Sequence, residues 1–190
     1  MVLHDDQTLL GEFSWGLVPS WADDQPSKRL INARMETIAD KPSFRDLFLR
    51  RRCLVLADGF YEWKREGRRK QPYYFYLPDR EPFAMAGLYD VRNTPGEGKI
   101  STCTIITTAA DDVMKPVHHR MPVMLDESAW KEWMTPGSRP AAELHQLLQD
   151  SQLHSLLRHP VSALVNSPTN DIEDCIREIA EPAAEPDLFD

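Results

Sequence analysis

The residues of this sequence best suited to chemistry are polar side chains set inside apolar runs. Glu62 stands in GFYEWK between Tyr61 and Trp63. Burial among aromatic rings penalises the ionised carboxylate, and a raised pKa suits a general acid. The plainer reading is an exposed strand glutamate whose aromatic neighbours point the other way, because strand faces alternate. His118 and His119 lie in KPVHHRMPVML, just ahead of an apolar stretch expected to be a strand. Histidine is the usual proton carrier near neutral pH. Adjacent residues on an extended chain point to opposite sides, so one of the two is expected to reach a given site. A turn histidine bonded to the backbone is the alternative. INARMET brings Asn32, Arg34 and Glu36 together. Asn32 is either a site residue or the N-cap of a short helix. Arg34 suits phosphate binding through its planar fork, or a surface ion pair. Trp15, Trp21 and Trp63 fall in the first third of the chain, which overlaps the basic stretch 28–70. Rings for stacking bases and cations for the backbone are what a single-stranded nucleic acid site needs, although tryptophans also fill cores.

The elements that must position these residues follow from the pattern of apolar residues and turn formers. FSWGLV (13–18) suits a strand and PSWADDQPSK (19–28) a loop. Asn32 is placed to cap a short helix over ARMETIAD, and 43–51 suits another helix with Pro42 near its start. CLVLADGFYEWK and PYYFYL predict one long hairpin over 53–77, with Gly59 as a bulge and REGRRKQ as the turn. Strands are expected at 83–91 and 101–108 around the loop NTPGEGK, and helical turns at 109–115. Helices are expected at 126–134, opened by an acidic cap, and at 139–150, with a last strand at 159–165. Consecutive strands with peripheral helices predict an α+β fold with mixed or antiparallel sheets forming a barrel-like core. One domain over 1–180 is expected, followed by a disordered tail over 181–190.

Several function classes find no support. The sequence holds no Gly-rich phosphate loop, no H-E-x-x-H and no G-x-S-x-G. No third ligand is spaced to join the two histidines, so no metal and no cofactor is expected. The three cysteines are widely spaced, which suggests neither a disulfide framework nor a zinc ribbon, and a reducing cytoplasm is the plain expectation. No apolar run approaches membrane-spanning length, and MVLHDDQTLL does not resemble a signal peptide, so no membrane partner is expected. The net charge is -8. Residues 28–70 nevertheless hold 13 Lys/Arg against 6 Asp/Glu. Field strength follows local charge, so one basic stretch of an acidic chain can still present a phosphate-binding surface, or simply a solvated basic face.

Seven stretches taken in order resemble the SOS response-associated peptidase (SRAP) family: WGLVPSW (15–21), INARMET (31–37), RCLVLADGFYEWK (52–64), QPYYFY (71–76), IITTAADD (105–112), VHHRMPVML (117–125) and HPVSALVNSPTN (159–170). The resemblance implies a protein of the DNA damage (SOS) response that shields abasic sites in single-stranded DNA. Its N-terminal cysteine forms a thiazolidine crosslink with the ring-opened sugar, and a self-cleaving peptidase activity exposes that cysteine. Carried over by motif, the catalytic residues are Asn32, Glu62 and His118. Arg34 and Arg120 are expected at phosphates, and Trp15, Trp63 and Thr107 along the DNA groove. A monomer in the cytoplasm, nucleoid-associated in a bacterium, is expected.

The front of the chain departs from that pattern. The family begins Met-Cys-Gly-Arg-Phe, whereas this sequence begins MVLHDDQTLL and carries Val2. The resemblance therefore implies an N-terminally truncated form that retains the assisting residues, arising from a misassigned start, a truncation or a degenerate paralogue; the retention of N-A-R, F-Y-E-W and H-H-R-M-P together favours the first two. Two further readings stand beside it: a non-covalent single-stranded DNA binding module, and a cysteine protease. The latter needs a low-pKa thiol beside a histidine, and Cys53, Cys103 and Cys175 are not placed to supply one.

Overall fold

The computed structural model describes residues 1–4, 7–21, 29–67, 69–94, 96 and 98–181. Its strands, in chain order, are β1 (Val2–His4), β2 (Gln7–Leu9), β3 (Ser14–Trp15), β4 (Asn32–Arg34), β5 (Arg52–Ala57), β6 (Phe60–Glu66), β7 (Arg69–Tyr76), β8 (Phe83–Thr94), β9 (Gly98–Ala109), β10 (Arg120–Pro122), β11 (Met124–Leu125) and β12 (Leu157–Pro160). The helices are α1 (Arg45–Arg50), α2 (Glu127–Met134) and α3 (Ala141–Asp150). This is an α+β protein, as the pattern predicts. The barrel-like core is a loose description: the strands form a seven-stranded, a three-stranded and a two-stranded sheet, and none closes on itself. The chain divides into two compact units, Met1–Ala57 with Pro82–Ala109 and Arg120–His154, and Asp58–Glu81 with Ala110–His119 and Ser155–Asp190. Residues 182–190 of the expected tail and 22–28 of the expected loop lie outside the described residues.

The first unit is organised by β9. One edge of β9 takes β8 and then β10, both antiparallel. The other edge takes β3 and then β4, both parallel. The helices bury their apolar stripes against this sheet, and Phe48, Trp133 and Leu144 are fully enclosed with Ile106 and Leu88. α2 starts as its sequence predicts, with the Asp126 side chain accepting from the backbone N–H of Ser128. Its last turn is tied down by Arg52, whose Nε donates to the Trp133 carbonyl at 2.8 Å. Nη1 of the same arginine donates to the Phe48 carbonyl at 3.2 Å. Of the basic run Arg50–Arg52, only Arg52 is buried, and burial lowers its pKa to about 10.

Asn32 is not a helix cap. It opens β4, opposite Ile105 of β9, and a 3-10 turn at Met35–Thr37 follows with Arg34 at its cap position and no side-chain capping bond. Parallel pairing with a strand far along the chain outweighs the local capping preference of asparagine.

The second unit is built on the β6–β7 hairpin, with β12 on the other edge of β7. The hairpin spans 60–76 rather than 53–77. The chain breaks at Asp58–Gly59, and β5 pairs with β8 in the first unit. Gly59 marks a close approach rather than a bulge: a Cβ there would lie 2.2 Å from the ring of Tyr74. The expected strand at 159–165 ends at Pro160, and a 3-10 turn covers Ala163–Asn166. Residues 111–117 form hydrogen-bonded turns rather than a helix.

Candidate functional site

Each unit carries one cluster of the residues singled out by sequence. In the second unit, β6 presents Glu62 opposite Tyr73 of β7. The turns before β10 present His118 to it, with Nδ1 of the imidazole 3.8 Å from Oε1 of Glu62. Three hydrogen bonds shape those turns. Asp111 Oδ1 accepts from the Met114 N–H at 2.8 Å, Met114 O from the His118 N–H at 3.0 Å, and His119 O from the Ala110 N–H at 3.1 Å. The Met114 side chain is fully buried beneath them. Asp111 is a positioning residue that the sequence reading passed over, although an aspartate opening a turn is a recognised local signal.

Glu62 is half-buried, and burial pushes its pKa above the ordinary glutamate range. The positive potential of His118, a backbone hydrogen bond at Trp63 and, more weakly, His119 pull the other way without reversing the shift. The two histidines do not point apart as expected for an extended chain. Their rings stand 4.5 Å apart between centroids, because 118–119 is a bend ahead of β10. A carboxyl of raised pKa in reach of an imidazole is an arrangement able to deliver and recover a proton.

Trp63 belongs to this unit but to the other face of the hairpin. Its neighbours on that face are Tyr61, at 6.5 Å between ring centroids, and Asn166, whose Oδ1 accepts from the indole N–H at 2.7 Å. The aromatic neighbours of Glu62 therefore face away from it, and the carboxyl is nonetheless desolvated.

In the first unit, the β3–β4 edge of β9 carries a row of exposed side chains. Trp15 is 56% exposed and stands opposite Cys103, with its indole N–H donating to the Ile31 carbonyl at 2.9 Å. Asn32 follows opposite Ile105 and Arg34 opposite Thr107. Alternation explains the motif N-A-R: Ala33 is fully buried in the core, which turns Asn32 and Arg34 outward. Arg120 opens β10 opposite Ala109. Its guanidinium forms a two-pronged pair with Glu36, Nη1 to Oε1 at 2.7 Å and Nη2 to Oε2 at 2.9 Å, and also donates to the Thr107 carbonyl. The Arg120 hydrogen bond holds the Glu36 carboxyl below its ordinary pKa, despite some desolvation. Sequence reasoning noted Glu36 without giving it a role; its partner lies 84 residues away.

The cysteines are poor nucleophiles where they stand. Cys53, Cys103 and Cys175 are all buried and reduced. Burial pushes the Cys53 thiol up to about 12 and raises Cys103 as well. Among the described residues no group of His, Cys, Asp and Glu is arranged to hold a metal ion. No helix among them is long and apolar enough to cross a membrane.

The second unit thus brings a carboxyl and an imidazole together, and the first carries an exposed strand edge with Trp15, Asn32 and Arg34. The chain belongs to the SOS response associated peptidase (SRAP) family, whose pattern matches residues 1–168. It is 43% identical over 169 residues to the abasic site processing protein YoqW of Bacillus subtilis, covering 88% of this chain and 75% of that one. It is 36% identical over 195 residues to the abasic site processing protein HMCES of Gallus gallus, covering 90% of this chain and 57% of the longer relative. Among solved structures, a Bacteroides thetaiotaomicron protein superposes with a TM-score of 0.79 at 30% identity, over 94% of this chain and 79% of that one.

Proposed function

We propose that this protein processes abasic sites in DNA as part of a DNA damage response, and that single-stranded DNA is its substrate. The observation that carries the chemistry is the Glu62–His118 pair, a half-buried carboxyl of raised pKa 3.8 Å from an imidazole. The names of YoqW and HMCES supply the substrate class.

The reaction proposed is covalent capture of the ring-opened sugar. An N-terminal amine attacks the C1′ aldehyde, and the carbinolamine loses water to give an imine. A thiol on the same residue then adds to that imine and closes a thiazolidine. Glu62 donates the proton that lets hydroxide leave as water, and His118 accepts the proton released by the attacking amine. Asn32 orients the amine or the sugar. Arg34 and Arg120 hold phosphates, and Trp15, Trp63 and Thr107 meet the strand. The amine and thiol are those of an N-terminal cysteine of the kind the family resemblance implies, uncovered by self-cleavage. The three buried cysteines do not substitute for it. The protein acts as a monomer in the cytoplasm, nucleoid-associated in a bacterium.

Burial of every cysteine favours one second reading for the 190-residue chain, non-covalent binding of single-stranded DNA. Titration of a strand with an abasic analogue at several salt concentrations, paired with a denaturing gel, separates the two. Salt-sensitive binding without a denaturation-resistant product supports the binding module, and a product supports capture. No binding at any salt overturns both.

A further inference from the structure

The tip of the β6–β7 hairpin is a second cationic surface, separate from Arg34 and Arg120. The seven residues KREGRRK (64–70) contain five Lys/Arg and one Glu in a chain of net charge -8. Glu66 is engaged by Lys64 at 2.5 Å. Arg65 stands directly across the ladder from Lys70, and Glu66 across from Arg69. Arg65, Arg69 and Lys70 are exposed, and among the described residues none of them forms an ion pair. Like charges placed directly opposite on a sheet are destabilising. A hairpin keeping such a pair, uncompensated, gains from an anion that bridges it. Gly67, with φ +56° and open space around it, lets the chain reverse tightly there.

We infer that this tip binds the phosphodiester backbone of the DNA strand flanking the abasic site, through Arg65 and Lys70. The inference rests on the proposed function for its ligand. Arg65 lies two residues beyond Trp63 on β6, so the two share a face, about 7 Å apart at the rise of a β-strand. That equals roughly two nucleotides of stacked strand, at about 3.4 Å each. The tip therefore reads backbone charge a few nucleotides from the reacting sugar, on one side of it and on the face that carries Trp63. Charge complementarity selects the occupant: a repeating anion matches a cluster of long, exposed cations better than a protein surface of mixed sign.

The test measures binding of the 190-residue chain to a single strand carrying one abasic analogue, by fluorescence anisotropy across a salt series. Arg65→Gln with Lys70→Gln should weaken binding about tenfold at moderate salt and reduce the salt slope by about 1.4, two contacts at about 0.7 each. Each single change should give about half that slope loss. Strands with neutral methylphosphonate linkages a few nucleotides to the 5′ or the 3′ side locate the contact. One of them should weaken wild type and leave the double variant unaffected. Thermal melting should be unchanged, since both side chains are exposed. Unaltered binding by the variant, while wild type binds, overturns the inference and leaves the proposed function standing. A loss fully additive with both methylphosphonate strands also overturns it, because the effect is then a diffuse field. Failure of wild type to bind the strand overturns the proposed function together with the inference.

Discussion

Oε1 of Glu62 lies 3.8 Å from Nδ1 of His118, although the two residues come from a hairpin and from a turn more than fifty positions later. The contact is longer than a formed hydrogen bond, so a small approach by either group completes it. In a form able to crosslink, Glu62→Gln should slow the reaction by about 10²–10⁴-fold, the range of a lost general acid. Binding to an abasic analogue should stay within a few-fold. An equal fall in binding and rate would make Glu62 a structural residue.

The raised pKa of Glu62 has a measurable consequence for stability. The folded carboxyl binds its proton more tightly than the unfolded one. Wild-type stability from this group is therefore fully present below about pH 4.3, the ordinary glutamate value, and is lost as pH rises through the folded value. Glu62→Gln removes the charge. Its melting temperature should match wild type in acid and exceed it near neutrality. A variant that is relatively less stable at neutral pH would contradict this sign.

On the proposed reading, Glu36 competes with phosphate for Arg120. The carboxylate occupies both prongs of the guanidinium and also places negative charge near Arg34. Glu36→Gln should strengthen binding of single-stranded DNA several-fold at low salt, with little change in fold stability, because the carboxylate is 47% exposed. Weakened binding would show that Glu36 is needed to hold Arg120 in place.

Arg34→Ala should weaken binding to every sequence and flatten the salt dependence by about 0.7, one phosphate contact on a single strand. Ala33→Leu is the contrasting change at the neighbouring position. Ala33 has no exposed surface, and overpacking there should cost about 1–3 kcal/mol of stability. Urea unfolding distinguishes the two: Arg34→Ala should leave the midpoint in place.

Gly59→Ala drives a methyl into the Tyr74 ring, which is buried and packed against Tyr61 and Tyr76. A loss of about 1–3 kcal/mol is expected by urea unfolding. Tyr74→Leu costs stability by itself, but Gly59→Ala should cost less in that background. Equal cost in both backgrounds would show that the ring is not the obstacle.

These contrasts show which parts of the site were legible in sequence. A raised pKa for Glu62 was legible but its surroundings were not: Tyr61 and Trp63 face away, and the groups it meets, His118 and His119, come from a turn far along the chain. N-A-R was legible as a cluster but not as a strand: β4 exists by parallel pairing with β9, more than seventy residues away, and a capping preference offers no hint of that. The two histidines read as an extended pair, while backbone bonds to Met114 and Ala110 bend the segment. The 53–77 hairpin merged β5 and β6 because only Asp58 and Gly59 separate them, and the close approach of the Tyr74 ring to Gly59 comes from a later strand. Helices α2 and α3 were read to within two residues at each end, since their periodicity and the Asp126 cap are local signals.

The most direct test is a denaturing gel of the chain, extended at its front by the family's Met-Cys-Gly-Arg-Phe segment and the residues that follow it in the family pattern. The extended chain is incubated with a single strand carrying one abasic site. The account predicts a heat-stable shifted band that is absent with the unextended 190-residue chain, and that forms more slowly in both Glu62→Gln and His118→Ala. A band that forms equally fast in those variants, or no band while the strand still binds, would contradict it.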